Sequence, residues 1–252
     1  MTPRTAPTLD ADLEAGLRRL RLGAMRRQGA ELLATAKTQR WAPDELLRTL
    51  IDIEIASRDA SNARNRLAAA RFPVEKTLDE FALTDSSISK KTYDYLITLE
   101  WIDRAENVCL VGPAGTGKTH MLIALGHAAV AAGRKVRYWT AVDLIEHLYR
   151  AVADNTVGKA IEQLCRNDLL IIDEIGFAPL DHNGCQLLIR TVAAAYERRS
   201  LAIASHSPFE QWGRFLPDQA TGTSLLDRLC HHAHIITTKG DSYRLRHRKG
   251  AA

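Results

Sequence analysis

Val108-Cys109-Leu110-Val111-Gly112-Pro113-Ala114-Gly115-Thr116-Gly117-Lys118-Thr119 carries an apolar, partly β-branched run into a glycine-rich turn and then into an Ala/Leu-rich segment. The turn fits G-x-x-x-x-G-K-[ST], and a strand before it with a helix after it is the setting that this phosphate-binding motif requires. Gly112, Gly115 and Gly117 permit backbone conformations in which successive N–H groups converge on phosphates, and the helix N-terminus adds partial positive charge. Lys118 is placed to neutralise the β- and γ-phosphates, and the Thr119 hydroxyl to reach magnesium. The stretch therefore predicts a site for ATP and Mg2+.

Downstream, Leu169-Leu170-Ile171-Ile172-Asp173-Glu174 is an apolar strand that ends in two acids. A buried parallel strand delivers Asp173 to the sheet's C-terminal edge, where ligands bind in such folds. Asp173 is expected to hold magnesium and Glu174 to orient and polarise the attacking water. The plainer alternative is an acidic turn after a strand.

From Asn107 onward, short β-branched runs alternate with helical stretches, the signature of βαβ units and a parallel sheet covered on both faces. Strands are expected at Val108–Val111, Val136–Trp139, Leu169–Ile172, Leu201–Ala204 and Ile235–Thr237. Helices are expected at about 118–132, 141–153, 183–198 and 223–233. No N-K-x-D guanine-reading element follows, and no L-S-G-G-Q stretch precedes Asp173, so GTPases and transporter ATPases are set aside. The adjacent acids also suit water activation better than transfer to a bound hydroxyl, as in a small-molecule kinase.

Upstream the pattern is helical. Leu13, Leu17, Leu20 and Ala24 recur at amphipathic spacing, with Asp10 or Asp12 near the start. A second helix is expected to open at Pro43 and Asp44, carry Leu46, Leu50 and Ile53 on one stripe, and stop before Pro73. Arg18, Arg19, Arg21, Arg26 and Arg27 crowd one short segment; they form either a solvated helix face or a surface that meets phosphates. The Thr84-Asp85-Ser86-Ser87 cluster reads as a connection.

At 252 residues, 46% hydrophobic and 25% charged, the chain has the composition of a soluble globular protein able to bury a core without staples. No apolar run approaches the roughly 20 residues that span a bilayer. The start carries no apolar signal region, which predicts a cytoplasmic protein without membrane partners. The four cysteines, Cys109, Cys165, Cys185 and Cys230, form no C-x-x-C pair and are expected to be reduced thiols.

Longer stretches carry a resemblance: Trp101-Ile102-Asp103-Arg104-Ala105-Glu106-Asn107, GPAGTGKTH at 112–120, LLIIDEIGFAPL at 169–180, YERRS at 196–200, PFEQWG at 208–213, LLDRLCHHAHII at 225–236 and KGDSYRLR at 239–246. On these the chain resembles the IstB family of insertion-sequence helper ATPases, relatives of the DnaC/DnaI helicase loaders. The resemblance implies an AAA+ P-loop fold: a five-stranded parallel αβα sheet preceded by a small all-helical N-terminal domain, with no C-terminal lid after Ile235. It implies a basic helical domain at 1–85 that binds a partner or DNA, an AAA+ ATPase domain at 86–246 and a disordered tail at 247–252. Nucleotide binding is carried from Gly112, Pro113 and Ala114 through His120.

In AAA+ relatives a polar sensor ends the fourth strand, typically Asn in this family; here Ser205-His206 stands there. His206 either contacts the γ-phosphate or lytic water, or is structural. Arg228 matches the position of an arginine finger acting on a neighbouring subunit's ATP, the alternative being a surface arginine paired with Asp227 or another acid. Arg244 is a weaker candidate for a phosphate sensor in its own subunit. Cys230, His231, His232 and His234 invite a metal reading, but adjacent histidines at a helix end face different ways, and no metal beyond magnesium is expected.

The implied activity is Mg-dependent ATP hydrolysis by a homo-oligomer that assembles, in its ATP state, on duplex DNA with little sequence preference and engages an IstA-type transposase. A replicative helicase loader and a nonhydrolytic nucleotide-gated adaptor, the latter motivated by His206, are the alternatives. An aromatic content of 6% offers little for base stacking and favours duplex contact through phosphates.

Overall fold

The computed structural model describes residues 7–214, 216 and 219–243. Residues up to Asn65 form one compact unit and residues from Arg66 another. That division falls before the boundary expected at Asp85, because the stretch after Ala70 packs on the second unit: Phe72 stacks on His127 with ring centroids 4.4 Å apart.

The first unit holds α1 (Ala11–Arg19), α2 (Gly23–Gln39) and most of α3 (Pro43–Ala70). Asp10 caps α1 by accepting from the N–H groups of Asp12 and Leu13. The apolar run Leu13 to Ala24 is thus split between two helices. Arg21 adopts φ +57° while Leu22 N–H donates to the Leu17 carbonyl and Arg21 N–H to that of Arg18. This is a Schellman-type ending with an arginine where glycine usually marks the stop. As a consequence Ala24 is buried while Leu13 and Leu20 are exposed. The expectation for α3 matches its observed span from Pro43 to Ala70.

The second unit contains α4 (Lys90–Thr98), α5 (Glu100–Asp103), β1 (Asn107–Val111), α6 (Lys118–Ala131), β2 (Val136–Thr140), α7 (Ala141–Ala153), α8 (Val157–Leu164), β3 (Leu169–Ile175), α9 (His182–Ala195), β4 (Ser200–Ser205), α10 (Gln219–Cys230) and β5 (Ala233–Thr237). All five expected strands are present. They form one parallel sheet in the order β2-β3-β4-β1-β5.

Alternation along the central strands explains why they read as continuous apolar runs. Val108, Leu110, Leu169, Ile171, Ala202 and Ala204 face one core with Met121, Leu122 and Leu125 of α6 and with Trp101. Cys109, Leu170, Ile172, Leu201 and Ile203 face another, with Leu144 and Leu148 of α7, Leu188 of α9 and Leu229 of α10. Both faces of the sheet are therefore dry, which an all-parallel sheet needs. Cys109 and Cys185 are buried in the core, and burial pushes the Cys109 thiol well above its ordinary range. Among the described residues no helical lid follows β5, and no helix is long and apolar enough to cross a membrane.

Candidate nucleotide site

The loop from Gly112 to Gly117 leaves β1 beside the end of β4, where Gly112 N–H donates to the Ser205 carbonyl at 3.1 Å. Gly112, Gly115 and Gly117 have φ of +144°, +81° and +90°, conformations that favour glycine. Space imposes the same requirement: a Cβ on Gly112 would meet the Thr238 carbonyl oxygen, and one on Gly115 the Ser242 hydroxyl. α6 then starts at Lys118 with Gly117 as N-cap and no side-chain cap, so its first-turn N–H groups face the loop uncapped by any side chain. An uncapped N-terminus behind a glycine cradle suits an oligophosphate. Lys118 is buried at 8% exposure, and its Nζ reaches over the loop to donate to the Pro113 carbonyl at 2.6 Å.

Asp173 is 2% exposed and belongs to β3. Its Oδ2 accepts from the Tyr138 hydroxyl at 2.9 Å and its Oδ1 from the Glu174 N–H at 2.8 Å. Burial, followed by the Asp173 charge and their hydrogen bond, pushes the Tyr138 phenol far above its usual range, so it remains a neutral donor. The β3–β4 register slips here: Ile172 lies opposite Ile203, but Ile175 lies opposite Ser205. Glu174 takes up the extra residue at φ +60° and is exposed between two buried neighbours. A non-glycine residue held in that region is strained, and such bulges re-aim side chains at functional edges. A buried carboxylate with one oxygen held by a tyrosine, beside an exposed one, fits a metal-holding acid next to a water-directing acid.

A cavity of about 520 Å³ opens over the loop, lined by Gly115 to His120 and by side chains from two other segments. Phe81 approaches Gly117 and meets the His120 ring edge-on at 5.3 Å. Glu80 and Lys76 come from the same stretch, and Lys239, Asp241 and Tyr243 from beyond β5. Thr238 links that second segment to the loop through Thr116 Oγ1 at 2.7 Å, and Tyr243 N–H donates to the Gly115 carbonyl at 2.9 Å. None of these lining residues outside the motif is assigned to the site from sequence, although Lys239, Asp241 and Tyr243 lie in the KGDSYRLR stretch. Residues 74–86 carry no motif of their own, and Tyr138 meets Asp173 only because β2 and β3 pair.

The matched family model covers residues 15–251 and is described as IstB-like ATP binding protein. This chain belongs to the IstB-like family. It is 35% identical over 232 residues to the insertion sequence IS5376 ATP-binding protein of Geobacillus stearothermophilus, covering 92% of each chain. It is also 35% identical over 241 residues to the insertion sequence IS21 ATP-binding protein of Pseudomonas aeruginosa, covering 95% of this chain and 91% of that one. In fold it is similar to AMPPCP-bound DnaA from Aquifex aeolicus, with a TM-score of 0.53, 20% identity and 69% of this chain covered. The match spans about half of that DnaA chain, 53%. DnaI gives a TM-score of 0.53 at 13% identity, covering 67% of this chain and 90% of that one. The fold is thus the AAA+ P-loop fold, and ATP binding is the family's shared property.

The remaining IstB-like candidates are spread around this centre. His206 is exposed in the bend after β4, one residue beyond the Ser205 that anchors Gly112. Arg228 is half-buried on α10 and folds back on its own helix, donating to the Ser224 carbonyl at 3.1 Å and to its hydroxyl at 2.5 Å. Among the described residues it makes no ion pair, with Asp227 or any other acid. Thr119 is exposed at the second position of α6. Arg244 and the tail at 247–252 lie outside the described residues. The histidines after α10 do not gather around Cys230. His234 instead bonds Glu106 at 2.7 Å, while the exposed His231 and His232 come close to Glu197.

Proposed function

We propose that this chain is a Mg-dependent ATP hydrolase that assembles as a homo-oligomer on duplex DNA in its ATP state and presents that DNA to an IstA-type transposase. The observation that carries the hydrolase is the pairing of buried Asp173, held by Tyr138, with exposed Glu174 at the register slip. Membership in a family of insertion-sequence ATP-binding proteins supports the transposase as partner. It favours that partner over a replicative helicase, for which the support is fold likeness alone.

In this reading the N–H groups of the cradle and Lys118 bind and orient the phosphates, while Thr119 and Asp173 hold the metal. When bound, Mg2+ supplies charge neutralisation at the phosphate oxygens. Glu174 aligns a water with the γ-phosphorus and takes its proton as the water oxygen bonds to phosphorus and the bond to the ADP oxygen breaks. His206, the next residue after the Ser205 that anchors Gly112, senses that event in this reading. Arg228 of a neighbouring subunit swings from Ser224 to stabilise the developing charge.

Glu174→Gln separates the hydrolase from a nonhydrolytic adaptor. Phosphate release should fall at least 100-fold with ATP affinity retained, whereas Lys118→Ala should lose ATP itself. No phosphate release by the wild-type protein, with or without duplex DNA, would leave only the adaptor.

A further inference from the structure

A second cavity, of about 380 Å³, lies at the β2 edge of the sheet, with Tyr138 in its lining. It is lined by Arg71, Arg137, Trp139 and by His147 and Arg150 of α7, among others. Two acids line it as well, each bonded to a neighbour in the same lining: Asp143 accepts from the Thr140 hydroxyl at 2.7 Å, and Glu146 pairs with Arg150 at 3.3 Å. Arg71 and Arg137 form no ion pair among the described residues. Arg137 donates only to the Ala69 carbonyl at 2.8 Å, and its guanidinium lies 4.7 Å from the Trp139 ring centroid.

The two guanidiniums instead repel. Burial and then Arg71 pull Arg137 below its ordinary range, and burial followed by Arg137, Arg150 and Arg71 lowers His147. The Trp139 indole N–H, a donor only, is buried and meets no acceptor. Arg71 is itself held at φ +57°, a conformation with a cost for arginine. Two guanidiniums that pair with neither acid of the hollow they share are a local conflict that an anion would resolve. Trp139 already carries Arg137 and also stacks His147 at 5.0 Å, so the ring is engaged and the charges are what remains to recognise a ligand.

We infer that this hollow at the β2 edge is a contact site for the phosphodiester backbone of duplex DNA. The inference rests on the DNA-binding part of the proposed function and names the side chains that carry it: Arg71 and Arg137 on the phosphate. Such contacts fix position without reading bases, and each phosphate neutralised adds about 0.9 to the slope of log affinity against log salt.

The test measures binding of the full-length protein with ATP to a random-sequence duplex across a salt series. Arg71→Glu and Arg137→Gln are each compared with wild type, and a fluorescent ATP analogue reports folding. Each variant should keep nucleotide affinity, lose roughly tenfold in DNA affinity and lower the salt slope by about 1. Arg71→Glu should also raise the melting temperature of the free protein, by about 1–3 °C, because it turns a repulsive pair into an attractive one. This is a readout that a merely structural Arg71 would move downward. Wild-type binding with an unchanged slope in both variants would overturn the inference and leave the DNA reading standing. Unchanged DNA binding with lost transposase association would overturn it in favour of an acidic protein segment. Absence of salt-dependent binding by the wild type would remove the DNA reading and this site together.

Discussion

Tyr138 is the residue that most changes the picture of the site. Asp173 is almost fully buried, and one of its oxygens is held by the phenol, so the carboxylate is oriented before any ligand arrives. Partners that orient a metal-holding carboxylate are worth roughly 10–100-fold in metal affinity or activity. Tyr138→Phe should therefore raise the Mg2+ concentration at half-maximal turnover about tenfold, while nucleotide affinity measured without metal stays near wild type. An unshifted Mg2+ titration would reduce Tyr138 to packing. Lys118, Thr119 and the Asp173-Glu174 pair were legible as candidates in the sequence because the motifs that mark them are runs of neighbours along the chain. Tyr138, Phe81 and Lys239 were not, because their roles arise from strand pairing and from segments folded over the loop. Nothing in a linear pattern marks a tyrosine on the second strand as the partner of an acid on the third.

At the level of elements, the strands were legible because a sheet dry on both faces demands uninterrupted apolar runs, and Leu169 to Ile172 or Leu201 to Ala204 could do little else. The helical N-terminal unit was less so. Its break at Arg21 uses an arginine in place of glycine, and in the second unit α8 is only a short helix, Val157–Leu164, whose N-cap Thr156 makes no side-chain capping bond. The start of α2 shows how the fold compensates for missing local signals. Its N-cap, Leu22, has no side chain to offer, and Glu54 of α3 accepts instead from Ala24 N–H at 2.8 Å and Met25 N–H at 3.2 Å while pairing with Arg58 at 3.0 Å. Burial raises the Glu54 carboxyl, but Arg58 and the two N–H groups outweigh it and leave the group below its usual range. A carboxyl lowered in the folded state stabilises fully above its unfolded value and loses that contribution as pH falls through the lower folded one. Amide-exchange protection of Ala24 and Met25 should thus be flat above the ordinary carboxylate range and decline below it. Glu54→Ala should remove about 1 kcal/mol of capping and with it the acid-dependent part of the decline. Protection that falls identically in wild type and variant would show that Glu54 is not the cap.

For the whole molecule, the open question is whether one chain holds a complete site. Cradle, acids and sensor candidate all come from the loop and strand ends of a single sheet, but Arg228 is folded onto Ser224 of its own helix and pairs with no acid among the described residues. A guanidinium held, among the described residues, by a carbonyl and a hydroxyl one turn back can be released at small cost, as an arginine serving another subunit's phosphates requires. If Arg228 acts between subunits, two defects on different chains must complement. Lys118→Ala cannot hold ATP but still offers its Arg228; Arg228→Ala holds ATP but offers nothing to its neighbour. Each variant alone should show phosphate release at least 100-fold below wild type, and an equimolar mixture should recover a substantial fraction, of order a quarter if partners pair at random. Turnover per subunit in the wild type should also rise with protein concentration, since the competent site exists only in the assembly. A mixture that merely averages the two variants, together with concentration-independent turnover, would place Arg228 outside the reaction and make each chain an ATPase by itself.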